Sequence, residues 1–125
     1  MFQIPSPMKS IVNSDSVLVL HLRRCWFDMF AGGVKKCEYR DLQKYNSRFR
    51  NPDGTIRHFD YVVFALGYPR FGETSRWLAF EVSSLSCGEG VPEWGAVSGV
   101  IYWCIAVGQS VDVLPWLSSR LLAKR

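Results

Sequence analysis

The chain has 125 residues, enough for one domain that buries roughly two-thirds of its unfolded surface without a metal or disulfide staple. Its 48% hydrophobic, 14% aromatic and 21% charged content excludes disordered, collagen-like and coiled-coil classes. Fifteen Lys and Arg against eleven Asp and Glu leave a net charge of +4, which allows an anionic partner without requiring one.

No apolar run reaches the ~18 residues of a membrane span, so no membrane partner is expected. The opening MFQIPSPMKSIVNSDS lacks the apolar core of a signal peptide, and a cytoplasmic location is the expectation. Cys25, Cys37, Cys87 and Cys104 form no C-x-x-C pair, and neither His21 nor His58 stands at a ligand spacing from them. Free thiols are expected, with no metal and no cofactor. Cys25, Cys37 and Cys104 lie in apolar stretches and read as small core residues.

In chain order, residues 1–16 carry two prolines and several small polar residues, the pattern of a flexible lead-in. Residues 17–22 (VLVLHL) read as a buried strand, with His21 as a satisfied core histidine. Trp26, Phe27, Met29 and Phe30 follow at helical spacing, and Gly32-Gly33 provides a stop. Residues 34–40 (VKKCEYR) alternate as a half-buried strand. Lys36, Glu38 and Arg40 fall on one face and Lys35, Cys37 and Tyr39 on the other. Asp41 then caps a helix carrying Leu42, Tyr45 and Phe49, which ends before the turn Asn51-Pro52-Asp53-Gly54.

Residues 59–66 (FDYVVFAL) predict a second strong strand, and 67–72 a loop with His58 solvated before it. Residues 76–83 alternate, with Trp77, Ala79 and Glu81 opposite Leu78, Phe80 and Val82. Four glycines and a proline between 87 and 99 predict an irregular loop carrying Glu89, Glu93 and Trp94. Residues 100–107 form a last strand, 17–108 the folded domain, and 109–125 a basic tail that is helical from Pro115 onward. Trp26, Trp77 and Trp103 read as core. Five or six strands and two or three short helices fit an α+β fold, a small mixed sheet curled into a half-open barrel.

No G-x-S-x-G, H-E-x-x-H or phosphate-loop signature is present. The segment richest in chemistry is Gly33 to Arg40, where cations bracket Glu38. It reads either as an exposed ion-pair ladder or as a cleft wall, with Lys35 and Arg40 holding a phosphate and Glu38 accepting a proton or a base amino group. Tyr45, Tyr68 and Trp94 are candidates for stacking on a base. Glu81, if it faces inward, needs Arg40 or Lys35 as a partner.

Gly33-x-Lys35-x-x-Glu38-x-Arg40 resembles the G-x-K-x-x-E-x-R signature of ASCH domains, members of the PUA-like superfamily. The resemblance spans residues 17–108. It includes Leu20 with Trp26-Phe27-Asp28, then Phe59, Asp60, Val62, Phe64, Gly67 and Tyr68. It continues with Glu81-Val82, the Pro92-Glu93-Trp94-Gly95 run and the closing strand from Tyr102 to Gly108. The resemblance implies a small β-barrel with a cleft beside the motif, and an RNA- or nucleotide-binding module. Some ASCH relatives cleave single-stranded RNA and others deacylate an acetylated cytidine nucleoside. In the latter a Lys and a Thr within the motif do the work. Lys35 matches the Lys, whereas Glu38 stands at the Thr position. Three readings follow: a binding module using Lys35, Glu38, Arg40, Tyr45, Tyr68, Glu81 and Trp94; a metal-independent ribonuclease or nucleoside hydrolase with Lys35 and Glu38 as catalytic groups; and a protein-interaction regulator, such as a phage accessory factor, on the same fold.

Overall fold

The computed structural model describes Ile11 and residues 16–123. The lead-in expected over 1–16 and the tail residues Lys124 and Arg125 therefore lie almost wholly outside the described residues. Five strands and three helices follow in order: β1 (Val17–Leu22), α1 (Arg24–Ala31), β2 (Cys37–Asp41), α2 (Asn46–Phe49), β3 (Tyr61–Leu66), β4 (Trp77–Glu89), β5 (Ile101–Val111) and α3 (Leu114–Ala123). Two single 3-10 turns precede β4 and β5. The strands form one mixed sheet in the order β1-β3-β4-β5-β2, a small α+β half-barrel. Among the described residues only β1 and β3 pair in parallel. Among the described residues no helix is long and apolar enough to cross a membrane.

Each face of the sheet carries a core. On the concave face Leu20, Phe64, Phe80, Trp103 and Ile105 pack with Phe27 and Phe30 of α1 and Phe49 of α2. On the outer face Val63, Ala65, Trp77 and Ala79 pack with Trp116 and Leu117 of α3 and with Ile11. Burial on both sides explains why β3 is apolar at every position rather than alternating. Phe30 stacks on Phe64 with centroids 4.3 Å apart, locking α1 against the sheet.

Several expectations are corrected. The strand expected from residue 34 starts at Cys37, because the amides of Val34 and Lys35 both donate to the Met29 carbonyl and finish the α1 terminus. Gly33 supplies the positive φ, +74°, that turns the chain there. Asp41 does not cap a helix. It pairs with Tyr102 at the end of β2, and only one turn, α2, follows. The loop expected from Cys87 is strand as far as Glu89, since ladder pairing uses backbone groups and Gly88 pairs with Tyr102 as well as any residue. Gly108 does not end β5, which runs to Val111 opposite Ala79. Residues 109–111 of the expected tail thus belong to the sheet. The helix expected from Pro115 starts one residue earlier.

Among the cysteines, Cys25 is exposed on the outer side of α1, and Cys37 and Cys104 are half-buried, so none is a core residue. Trp77 and Trp103 are buried, but Trp26 is only half-covered. His21 is not a core histidine. Alternation along β1 sends Leu20 and Leu22 into the core and leaves His21 exposed. His58 is solvent-facing, with Nε2 2.9 Å from Asp60 Oδ1.

Candidate nucleic-acid interface

Glu38 lies on β2 opposite Ile105, and Arg40 opposite Trp103, so both project onto the concave face. Lys35 precedes the ladder and is freed from its alternation. Its side chain turns back to meet Glu38, with Nζ 3.0 Å from Oε1. Arg40 takes the other oxygen, with Nη2 2.8 Å and Nε 3.1 Å from Oε2. One carboxylate thus bridges two cations.

The cluster is closed on itself. Lys35 is 2% exposed and Glu38 6%. Lys35 Nζ also donates to the Trp94 carbonyl and lies 4.3 Å from the centre of a Trp26 ring. The indole face is a favourable neighbour for the ammonium in this dry setting. Arg40 spends its remaining described bonds on Tyr45 Oη (2.8 Å) and the His21 carbonyl (2.8 Å). Its side chain is 14% exposed, so it is the cluster's member nearest to solvent.

The last bond has a structural meaning. β1 and β2 are the two edges of the sheet, and no ladder joins them. Arg40 donates to the carbonyl of His21, and Arg48 to that of Val19 at 2.9 Å. Two guanidinium groups therefore satisfy alternate carbonyls along the open edge of β1 and hold the seam of the half-barrel.

The other expected site residues are dispersed. Tyr45 joins the cluster through Arg40. Trp94 contributes its backbone carbonyl, which Lys35 uses. Glu81 pairs in register with Tyr61, a residue of the outer core, so it sits on the opposite face of the sheet from Glu38 and Arg40. The condition under which Glu81 would need Lys35 or Arg40 is thus not met, and the described carboxylate partner of both is Glu38. Among the described residues no group of three or more His, Cys, Asp or Glu is arranged to hold a metal.

Tyr68 marks a second location. It is 88% exposed and stacks on His21, with centroids 4.3 Å apart and planes 25° apart. His21 Nδ1 donates to the Gly67 carbonyl at 2.7 Å, which fixes the imidazole under the phenol. An open groove of about 490 Å³ runs beside this pair, walled by Arg23, Arg24 and Arg76 with Leu22, Leu66 and Gly67. The three arginines are exposed. Arg24 makes only a loose 3.7 Å pair with Asp28. Tyr68 stood out in the sequence but these arginines did not, since they lie on two separate segments, 23–24 and 76. The cue was available in part: Arg23-Arg24 directly follows one strand, and Tyr68 follows another after a single glycine.

The groove exists because β1 and β3 are parallel and end together, Leu22 beside Leu66. Gly67 N then donates to the Leu22 carbonyl at 2.9 Å, so the two following loops leave side by side. Arg40 ties the buried cluster to this place through the His21 backbone. An exposed aromatic stack flanked by guanidinium groups can take a base on its π-face and phosphates on its forks. No protein-family model, no curated protein and no solved structure matches the chain.

Proposed function

We propose that this protein is an RNA- or nucleotide-binding module of the ASCH type, on a PUA-like barrel, with its ligand in the groove beside Tyr68. One observation carries the reading: an 88%-exposed tyrosine, pre-stacked on His21, stands among Arg23, Arg24 and Arg76. A large exposed aromatic next to exposed positive charge fits single-stranded nucleic acid better than an apolar partner. The G-x-K-x-x-E-x-R motif then acts as a brace. Lys35 and Glu38 neutralise one another out of solvent, and Arg40 carries their order to the His21 backbone.

The burial of Glu38 between two cations supports binding over cleavage. A general base must reach the proton it removes, and this carboxylate already accepts from Lys35 and Arg40 on both oxygens.

The test is fluorescence anisotropy with a labelled single-stranded oligoribonucleotide, with a denaturing gel of the same samples. Binding that weakens with salt and on Tyr68→Ala, with the RNA intact, supports the reading. Cleavage by the wild type would replace it with the ribonuclease reading. Failure to bind at low salt would leave a protein-interaction role.

A further inference from the structure

The His21–Tyr68 stack is a partition. On one side lies the arginine groove. On the other lies a larger cavity of about 640 Å³, also lined by His21 and Tyr68. It is formed where α3 crosses the outer face of β1 and β4. Its walls are Val19, Phe71, Trp77 and Trp116, and Arg70, Arg120 and Leu121 also line it.

Three mutually packed rings make one aromatic wall of the cavity. Phe71 stacks on Trp77 at 5.3 Å, Trp116 meets Phe71 edge-on at 6.0 Å, and Trp77 and Trp116 are 5.7 Å apart. Trp77 Nε1 donates to the Arg70 carbonyl at 3.0 Å, and Glu73 Oε2 accepts from the Arg70 amide at 2.6 Å. The loop that forms one wall is therefore fixed in advance. The Arg120 guanidinium lies 5.1 Å from the Trp116 ring, so the cavity keeps a positive charge beside its apolar wall.

We infer that this cavity receives an unstacked nucleobase from the same strand whose phosphates lie on Arg23, Arg24 and Arg76. The inference rests on the nucleic-acid reading above and adds a base subsite to it. The ligand is single-stranded, and one base turns out of the stack into the cavity, against its aromatic wall, while a neighbour lies against Tyr68. Charge complementarity selects this occupant over an apolar peptide segment. One wall of the cavity is aromatic, yet arginines stand on both sides of the partition: Arg70 and Arg120 on one, Arg23, Arg24 and Arg76 on the other. A planar ring joined to a polyanion satisfies both surfaces at once. A duplex cannot present a base in this way without paying for its unstacking.

The experiment compares three probes by anisotropy: single-stranded oligouridine, a sugar-phosphate strand of equal length without bases, and an RNA duplex. The protein is tested as wild type, as Leu121→Trp, as Arg120→Ala and as Arg76→Ala. Leu121 is 48% exposed, so a tryptophan there fills the cavity mouth without entering the core, and a thermal melt checks the fold. Wild type is expected to prefer oligouridine over both other probes. Leu121→Trp is expected to weaken oligouridine about tenfold, the scale of one lost base stack, and to leave the baseless strand unchanged. Arg76→Ala should weaken both strands. Equal binding of oligouridine by wild type, Leu121→Trp and Arg120→Ala would overturn the base pocket while leaving the arginine groove intact. Failure of wild type to bind any probe would overturn the nucleic-acid reading itself, and the pocket with it.

Discussion

Lys35 donates a hydrogen bond to the backbone carbonyl of Trp94, a residue 59 positions further along the chain. The bond joins the end of α1 to the 3-10 turn before β5, and with Glu38 it gives a 2%-exposed ammonium two oxygen partners. A buried charge is tolerable only when paired and hydrogen-bonded, and removing one partner leaves the other stranded. Lys35→Ala should therefore lower stability by about 3 kcal/mol, read as a shift in the urea midpoint. Lys35→Arg should not rescue it, since a planar fork cannot donate to Glu38 and the Trp94 carbonyl from a single point as the ammonium does. Full stability in Lys35→Ala would show that Arg40 alone satisfies Glu38.

The run Pro92-Glu93-Trp94-Gly95 acquires a reason from the same contact. Gly95 has φ +102°, and a Cβ there would lie 3.0 Å from the Trp26 indole, itself seated over Lys35. A β-carbon would be strained by backbone and by neighbour at once. Gly95→Ala should cost about 1–3 kcal/mol, visible as a lowered melting temperature. Gly90→Ala should be at least as harmful for a different reason: its Cβ would fall 2.5 Å from that of Ala96 and 2.8 Å from the Tyr39 ring. Gly88→Ala, with nothing within 4 Å, is the control and should melt close to wild type.

The pattern of local propensity made α1, β3 and their stops legible, because each is an apolar run ended by glycine: Gly32-Gly33 after one, Gly67 after the other. Tertiary pairing was not legible. Gly88 and Gly108 read as breaks, yet the β4–β5 ladder carries the chain through both. The motif residues were visible as a charged cluster, but their convergence was not. Lys35 meets Glu38 only because the Met29 carbonyl holds residues 34 and 35 out of the strand. The arginine groove was hidden for a similar reason, since it needs the parallel register of β1 and β3 to bring Arg23 beside Gly67.

Salt dependence gives the groove an independent measure. Each phosphate contact releases condensed counterion from the strand, so the logarithm of affinity falls linearly with the logarithm of salt. Arg23→Ala, Arg24→Ala and Arg76→Ala should each weaken binding and flatten that slope by roughly one unit if the side chain meets a phosphate. Tyr68→Ala should weaken binding with the slope unchanged, because stacking releases no counterion. Parallel lines for the arginine variants would place the phosphates elsewhere.

Thiols on the β2–β5 pair predict the alkaline limit of stability. Partial burial pushes the Cys37 thiol above its ordinary value of 9.0, with Tyr39 and Lys35 pulling the other way. Burial also raises Cys104, and the neighbouring Cys37 and Cys87 raise it further. Tyr39, beside them, is raised above 10.0 by burial, partly offset by the Val91 amide that donates to its hydroxyl. In each case the folded state holds its proton more tightly than the unfolded state. The stabilisation is complete below the unfolded pKa and is lost as pH rises through the folded value. Urea midpoints should therefore be level from neutral pH to about 8.5 and then decline. The Cys37→Ala, Cys104→Ala double variant should show a shallower decline over that range, because only Tyr39 of the three remains. Alkylation at neutral pH adds a second readout: Cys25 and Cys87, both exposed, should react before half-buried Cys37 and Cys104. Early modification of Cys37 or Cys104 would mean that the strand pair opens more readily than its ladder implies.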